Sequence, residues 1–94
     1  MQGGSARVTR FLKYIGANVR RRRLRLGLTQ EALAEAANLD VRFLQRVERG
    51  TTNVGVAAVV ALADVLEVAP GLLFRKATLP EAKPGRPRKS RSRT

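Results

Sequence analysis

From Leu12 to Phe74 the apolar residues recur at steps of three and four, and Gly, Asn or Pro breaks that rhythm at short intervals. A three-to-four spacing places side chains on one face of an α-helix, and a strand would need strict alternation. Leu12, Ile15, Val19, Arg23 and Leu26 share a face of a first helix that begins near Val8, and Gly27 ends it as a left-handed cap. Thr29 is a good N-cap for a second helix, Gln30 to about Ala37, with Leu33, Ala34 and Ala37 inward. The capping box is incomplete, because position 32 is Ala and not Glu. Asn38 suits the left-handed residue after this helix, Leu39 anchors the turn, and Asp40 caps a third helix from Val41 to about Arg49. Leu44 and Val47 face inward on that helix, and Gly50 closes it. A fourth helix, about Val56 to Leu66, carries Val56, Val59, Val60, Leu62, Ala63 and Leu66. Pro70 then opens a short fifth helix through Leu72, Leu73 and Phe74, with Phe74 expected in the core.

These segments predict an all-α fold of five short helices. A chain of 94 residues has room for one small domain and tails. Alanine, valine and leucine dominate its apolar residues and aromatics are few, which favours a compact helical core over packed strands. The expected organisation is a flexible lead over 1–7, a folded domain over 8–76 and a disordered basic tail over 77–94. In the tail Pro80, Pro84 and Pro87 interrupt a polar run that cannot bury a core.

The charge is placed unevenly. The net charge is +12, from 19 Lys and Arg against 7 Asp and Glu. Residues 1–25 hold eight bases and no acid, and residues 75–94 hold eight bases against Glu81 alone. The span 26–74 is slightly acidic, with Arg42, Arg46 and Arg49 against six carboxylates. Such a field attracts polyanions, nucleic acid before anionic membrane. With no Cys and no His, a zinc site, a catalytic thiol and a His-dependent triad are excluded. No nucleophile–base pair or metal cluster is visible, so the chain reads as a non-enzyme with no cofactor and no metal. The longest apolar stretch, Val54 to Ala63, falls far short of the ~20 residues of a membrane span, and the N-terminus lacks a signal-peptide run. The expected location is cytoplasmic, at the nucleoid.

Residues 29–50 hold the functional signal: a helix, a tight turn, then a second helix with a basic outer face. The second helix of such a pair fits the major groove, and the first lies across the backbone with its N-terminus toward phosphate. Opposite Leu44 and Val47, helix 41–49 presents Val41, Arg42, Gln45 and Arg46. Arg can pair bidentately with guanine, Gln with adenine, and Val can meet a thymine methyl.

The segment IGANVRRRRLRLGLTQEALAEAANLDVRFLQRVERG, followed by VVALADVLEVAPGLLF, resembles the lambda-repressor/Cro-type (XRE-like) helix-turn-helix family over about residues 12–74. GLTQ at 27–30, Leu33-Ala34 and VERG at 47–50 carry the likeness. The resemblance implies that Thr29, Gln30 and Arg49 contact DNA phosphates, that Val41, Arg42, Gln45 and Arg46 face the bases, and that Arg23 and Glu48 form an ion pair inside the fold. It implies a homodimer, with helix five as the contact. The chain departs from the family at Asn38, in place of a turn glycine, and at Asp40, in place of a capping Ser or Thr. Val54-Gly55 replaces the Pro-Ser that usually opens the fourth helix, and Arg22 stands where an apolar residue is common.

In the tail, Lys83-Pro84-Gly85-Arg86-Pro87-Arg88-Lys89 resembles an AT-hook, in which Gly85, Arg86, Pro87 and Arg88 would enter the minor groove of A·T-rich DNA. The same run read plainly is a basic arm that raises non-specific affinity. The leading functional expectation is a sequence-specific transcriptional regulator of double-stranded DNA, a repressor acting by promoter occupancy. Two alternatives stay open. One is an interaction module with a protein partner, either an antitoxin holding its toxin or a coactivator bridging to the transcription machinery. The other is a nucleoid-associated binder working through charge alone.

Overall fold

The computed structural model describes residues 5–78. The tail motif Gly85, Arg86, Pro87 and Arg88, and most of the expected lead, lie outside the described residues. Four α-helices follow in order: α1 (Ala6–Arg25), α2 (Gln30–Ala37), α3 (Val41–Arg49) and α4 (Val56–Leu66). A 3-10 helix over Pro70–Phe74 completes the fold, and no strand occurs among the described residues.

The helix boundaries come from local hydrogen-bonding chemistry. Ser5 Oγ accepts from the Val8 amide at 3.2 Å, so α1 starts at Ala6, two residues before the position expected from apolar spacing. With 20 residues α1 is about 30 Å long and forms the backbone of the molecule. Thr29 Oγ1 accepts from the Ala32 amide at 2.9 Å and Asp40 Oδ1 from the Arg42 amide at 2.7 Å, opening α2 and α3. Asn38 ends α2 at φ 59°, and Gly50 ends α3 at φ 73°. The α2–α3 turn holds together because the Leu39 amide donates to the Ala34 carbonyl at 2.8 Å. α4 has a weak start, since Gly55 provides no side-chain cap.

α1 packs on α3 and on the 3-10 helix, while α2 packs on α3 and α4. The core they enclose centres on Val19, Leu33, Leu44, Val47, Leu62, Leu66 and Leu73, all essentially without solvent exposure. Each such Leu or Val contributes about 1.5–3 kcal/mol by leaving water.

The expected fifth α-helix is a 3-10 helix. The Leu72 amide donates to the Ala69 carbonyl at 2.9 Å and the Arg75 amide to the Leu72 carbonyl at 3.2 Å, three residues back in each case. Successive side chains on a 3-10 helix are separated by about 120°, so Leu72, Leu73 and Phe74 cannot all face inward. Leu73 takes the core position, and Phe74, expected there, is 43% exposed. On α4, Val59, Leu62, Ala63 and Leu66 are buried, whereas Val56 is 78% exposed and Val60 also meets solvent. Leu26 lies outside the core too, because α1 ends at Arg25.

Three polar or small residues, each meeting atoms distant in sequence, fix how the helices meet. Asn18 Nδ2, buried, donates to the carbonyls of Leu73 (3.0 Å) and Arg75 (2.8 Å), tying the end of the fold to α1. Arg22 Nε donates at 3.0 Å to the Leu66 carbonyl, one of the last carbonyls of α4 that lack a partner in their own helix. Gly16 faces the carbonyls of Val47 and Glu48 so closely that a Cβ would stand 2.7 Å from the Glu48 oxygen. The absence of a side chain there lets α1 cross the C-terminal turn of α3.

Candidate nucleic-acid interface

The outer face of α3 is held in place by a buried polar network. Arg23, from α1, reaches α3 through Nε to Glu48 Oε2 at 2.6 Å and Nη2 to Glu48 Oε1 at 3.0 Å, a bidentate ion pair. Its remaining nitrogen, Nη1, donates to the Leu28 carbonyl at 2.9 Å. One guanidinium thereby joins α1, the α1–α2 turn and α3. Both members are buried, so each is costly without the other.

Gln30 extends this network toward the surface. Its Nε2 donates to Glu48 Oε1 at 3.0 Å, and its Oε1 accepts from Gln45 Nε2 at the longer distance of 3.4 Å. The amide is therefore engaged inside the protein and supports Gln45, whose second N–H and Oε1 remain available. Thr29 is exposed at the N-terminus of α2, its oxygen accepting from Ala32 while the hydroxyl proton is free to donate.

On α3 itself Arg42, Arg46 and Arg49 are exposed. Their spacing of four and then three makes one continuous stripe along the helix. Among the described residues none of the three has a carboxylate partner, since the ion pair present there is Arg23–Glu48. Gln45 is half-buried beside the stripe, and Val41 is half-buried and packed partly against the core, so only part of it faces outward. This face can donate several charge-assisted hydrogen bonds to phosphate or to guanine, and Gln45 can both donate and accept toward a base edge.

The basic run on α1 is sorted by its contacts. Arg23 is in the ion pair, Arg22 holds the end of α4, and Arg21 Nη2 donates to the Thr78 carbonyl at 3.2 Å. Arg20 and Arg25 are exposed. Among the described residues no group of three or more His, Cys, Asp or Glu side chains could hold a metal ion, and no helix is long and apolar enough to cross a membrane.

A two-helix unit with a tight turn, anchored in a small helical core and bearing a basic outer helix, defines the helix-turn-helix class. Residues 19–73 match the helix-turn-helix family profile, and the chain belongs to that family. It is 31% identical over 64 residues to an uncharacterized HTH-type transcriptional regulator of Sinorhizobium medicae; the match spans 68% of this chain and 46% of the relative. Among solved structures it resembles the restriction-modification controller protein C.AhdI from Aeromonas hydrophila, with TM-score 0.65 and 38% identity over 67% of this chain and 96% of that one. It also resembles a mutant of C.Esp1396I bound to its highest affinity operator site OM, with TM-score 0.62 and 31% identity over 69% of this chain and 86% of that one. The chain spans less than half the length of the curated relative.

Proposed function

We propose that this chain is a sequence-specific DNA-binding transcriptional regulator, acting in the cytoplasm as a homodimeric repressor that inserts α3 in the major groove. The observation that carries the reading is the Arg42–Arg46–Arg49 stripe on the outer face of α3, without carboxylate partners among the described residues and held by a buried ion pair to α1. Arg42, Gln45 and Arg46, with the exposed part of Val41, take the base edges. Thr29, Gln30 and Arg49 take phosphates, and Gln30 also supports Gln45. The likeness to an operator-bound protein supports this mode of binding. In a two-fold dimer the two copies of α3 would meet half-sites about 34 Å apart.

The basic tail fits a minor-groove role by reach. Arg86 lies eight residues beyond Thr78, and a fully extended chain of that length covers about 26 Å. A neighbouring groove is roughly half a helical turn away, about 17 Å. A second reading, a partner-binding module such as an antitoxin or coactivator, draws support from the apolar side chains of Val56, Val60 and Phe74 at the surface.

Selection of bound sites from random duplex DNA, with the full chain and with a chain ending at Ala77, separates these readings. An inverted repeat enriched by both, with flanking A·T tracts for the full chain only, is the expected result. Enrichment by neither rejects the sequence-specific regulator and favours the partner-binding or charge-only readings. A promoter-reporter assay with the enriched site then distinguishes repression from activation.

A further inference from the structure

The N-terminal half of α1 carries a second cationic site that the family match, beginning at residue 19, does not include. Arg10, Lys13 and Tyr14 lie at i, i+3 and i+4, on one face of α1, and line a cleft of about 400 Å³ that Arg49 of α3 and the segment Ala77–Thr78 also border. Glu48 also borders the cleft, but both its oxygens accept from Arg23 or Gln30, so its charge is already compensated. Arg10, Lys13 and Arg49 are exposed and have no carboxylate partner among the described residues. Three cations and a phenol hydroxyl therefore converge on one opening.

Close packing of the two helices creates the cleft. Gly50 is buried against Lys13, and a Cβ at Gly50 would stand 2.9 Å from the Lys13 Cγ. With Gly16 it lets α1 run tightly across the end of α3. The Phe11 ring meets Tyr14 edge to face, centroids 5.3 Å apart, and so restrains the orientation of the phenol. Arg49 belongs both to this cleft and to the stripe shared with Arg42 and Arg46, which makes the cleft continuous with the C-terminal end of the groove-facing surface. A phosphate held there would belong to the duplex that α3 enters. The occupant must be anionic and accept several hydrogen bonds, and a backbone phosphodiester meets both requirements.

We infer that Arg10, Lys13 and Tyr14, together with Arg49, form a clamp for a DNA backbone phosphate flanking the bases read by α3. The inference rests on the DNA-binding reading above and extends the contact surface onto about one turn of α1, Arg10 to Tyr14. Fluorescence anisotropy of the full chain on a mixed-sequence duplex and on its selected site, over a range of salt concentrations, tests it. The double variant Arg10→Ala/Lys13→Ala removes two exposed charges and is compared with Arg75→Ala/Lys76→Ala, which removes two exposed charges that do not line the cleft. The expected result for the cleft variant is a salt slope shallower by about 0.9 on both duplexes, as for one phosphate, with affinity lower by about 5-fold at physiological salt and site preference unchanged. The comparison variant should keep the wild-type slope. Equal slopes for the two variants, whether both reduced or both unchanged, would overturn the clamp. Failure of the wild-type chain to bind any duplex would instead reject the DNA-binding reading itself.

Discussion

Glu48 accepts three hydrogen bonds, two from Arg23 and one from Gln30, inside the turn where α1, α2 and α3 meet. A carboxylate so placed is stabilising only while its cation is present. Glu48→Gln leaves the Arg23 charge buried and unpaired, and should lower unfolding free energy in urea by about 3–5 kcal/mol. Replacing both residues together, Arg23→Met with Glu48→Leu, removes the orphaned charge and should cost far less than either single change. A double-variant loss equal to the sum of the singles would contradict the account of this pair. Gly16 is a different kind of constraint, set by space and not by charge. Gly16→Ala brings a methyl against the Val47 and Glu48 carbonyls, and α1 must move off α3 to accept it. The same urea titration should show a loss of about 1–3 kcal/mol, although alanine is the better helix former.

Among the helices, α4 begins least well and α3 bears the proposed readout. Gly55 stands at the N-cap of α4 with φ −70° and ψ 162°, a backbone open to any L-residue, and a Cβ there would meet nothing within 4 Å. Gly55→Ser adds a cap acceptor and stiffens the unfolded chain, so the melting temperature should rise, reflecting about 0.5–1 kcal/mol of added stability. On α3 the arginines divide by position along the stripe. Arg42→Ala or Arg46→Ala should cost about 1–3 kcal/mol on the selected site and relax preference at particular base pairs. Arg49→Ala should weaken all duplexes alike. Competition binding against single-base variants of the site checks the division, and a uniform loss for Arg42→Ala and Arg46→Ala would remove them from base contact.

The whole molecule presents an apolar surface that its own core does not cover. Phe74 borders a groove with Val8, Phe11, Leu12 and Val54, while Leu73 beside it is fully buried and cannot meet a partner. If two copies associate through this end of the fold, Phe74→Ser should shift sedimentation-velocity profiles toward monomer while far-ultraviolet dichroism stays helical. An unchanged dimer would move the interface elsewhere.

Much of this protein is legible from neighbours in sequence. The caps Thr29, Asp40 and Gly50, the left-handed Asn38, and the inward faces of α2 and α3 are decided by bonds within a few residues, so spacing and side-chain type suffice to read them. The Arg42–Arg46 face follows from the same periodicity. Residues that act across long separations are not legible in that way. Asn18 bonds carbonyls 55 and 57 residues away, and Arg22 one that is 44 away, and nothing in the local pattern names those partners. Whether Leu73 or Phe74 enters the core was decided by the 3-10 geometry of Pro70–Phe74, set by docking on α1 and α4. The cleft between Arg10, Lys13 and Arg49 exists because two side-chain-free glycines let helices distant in sequence touch, and only the packed tertiary structure brings those charges together.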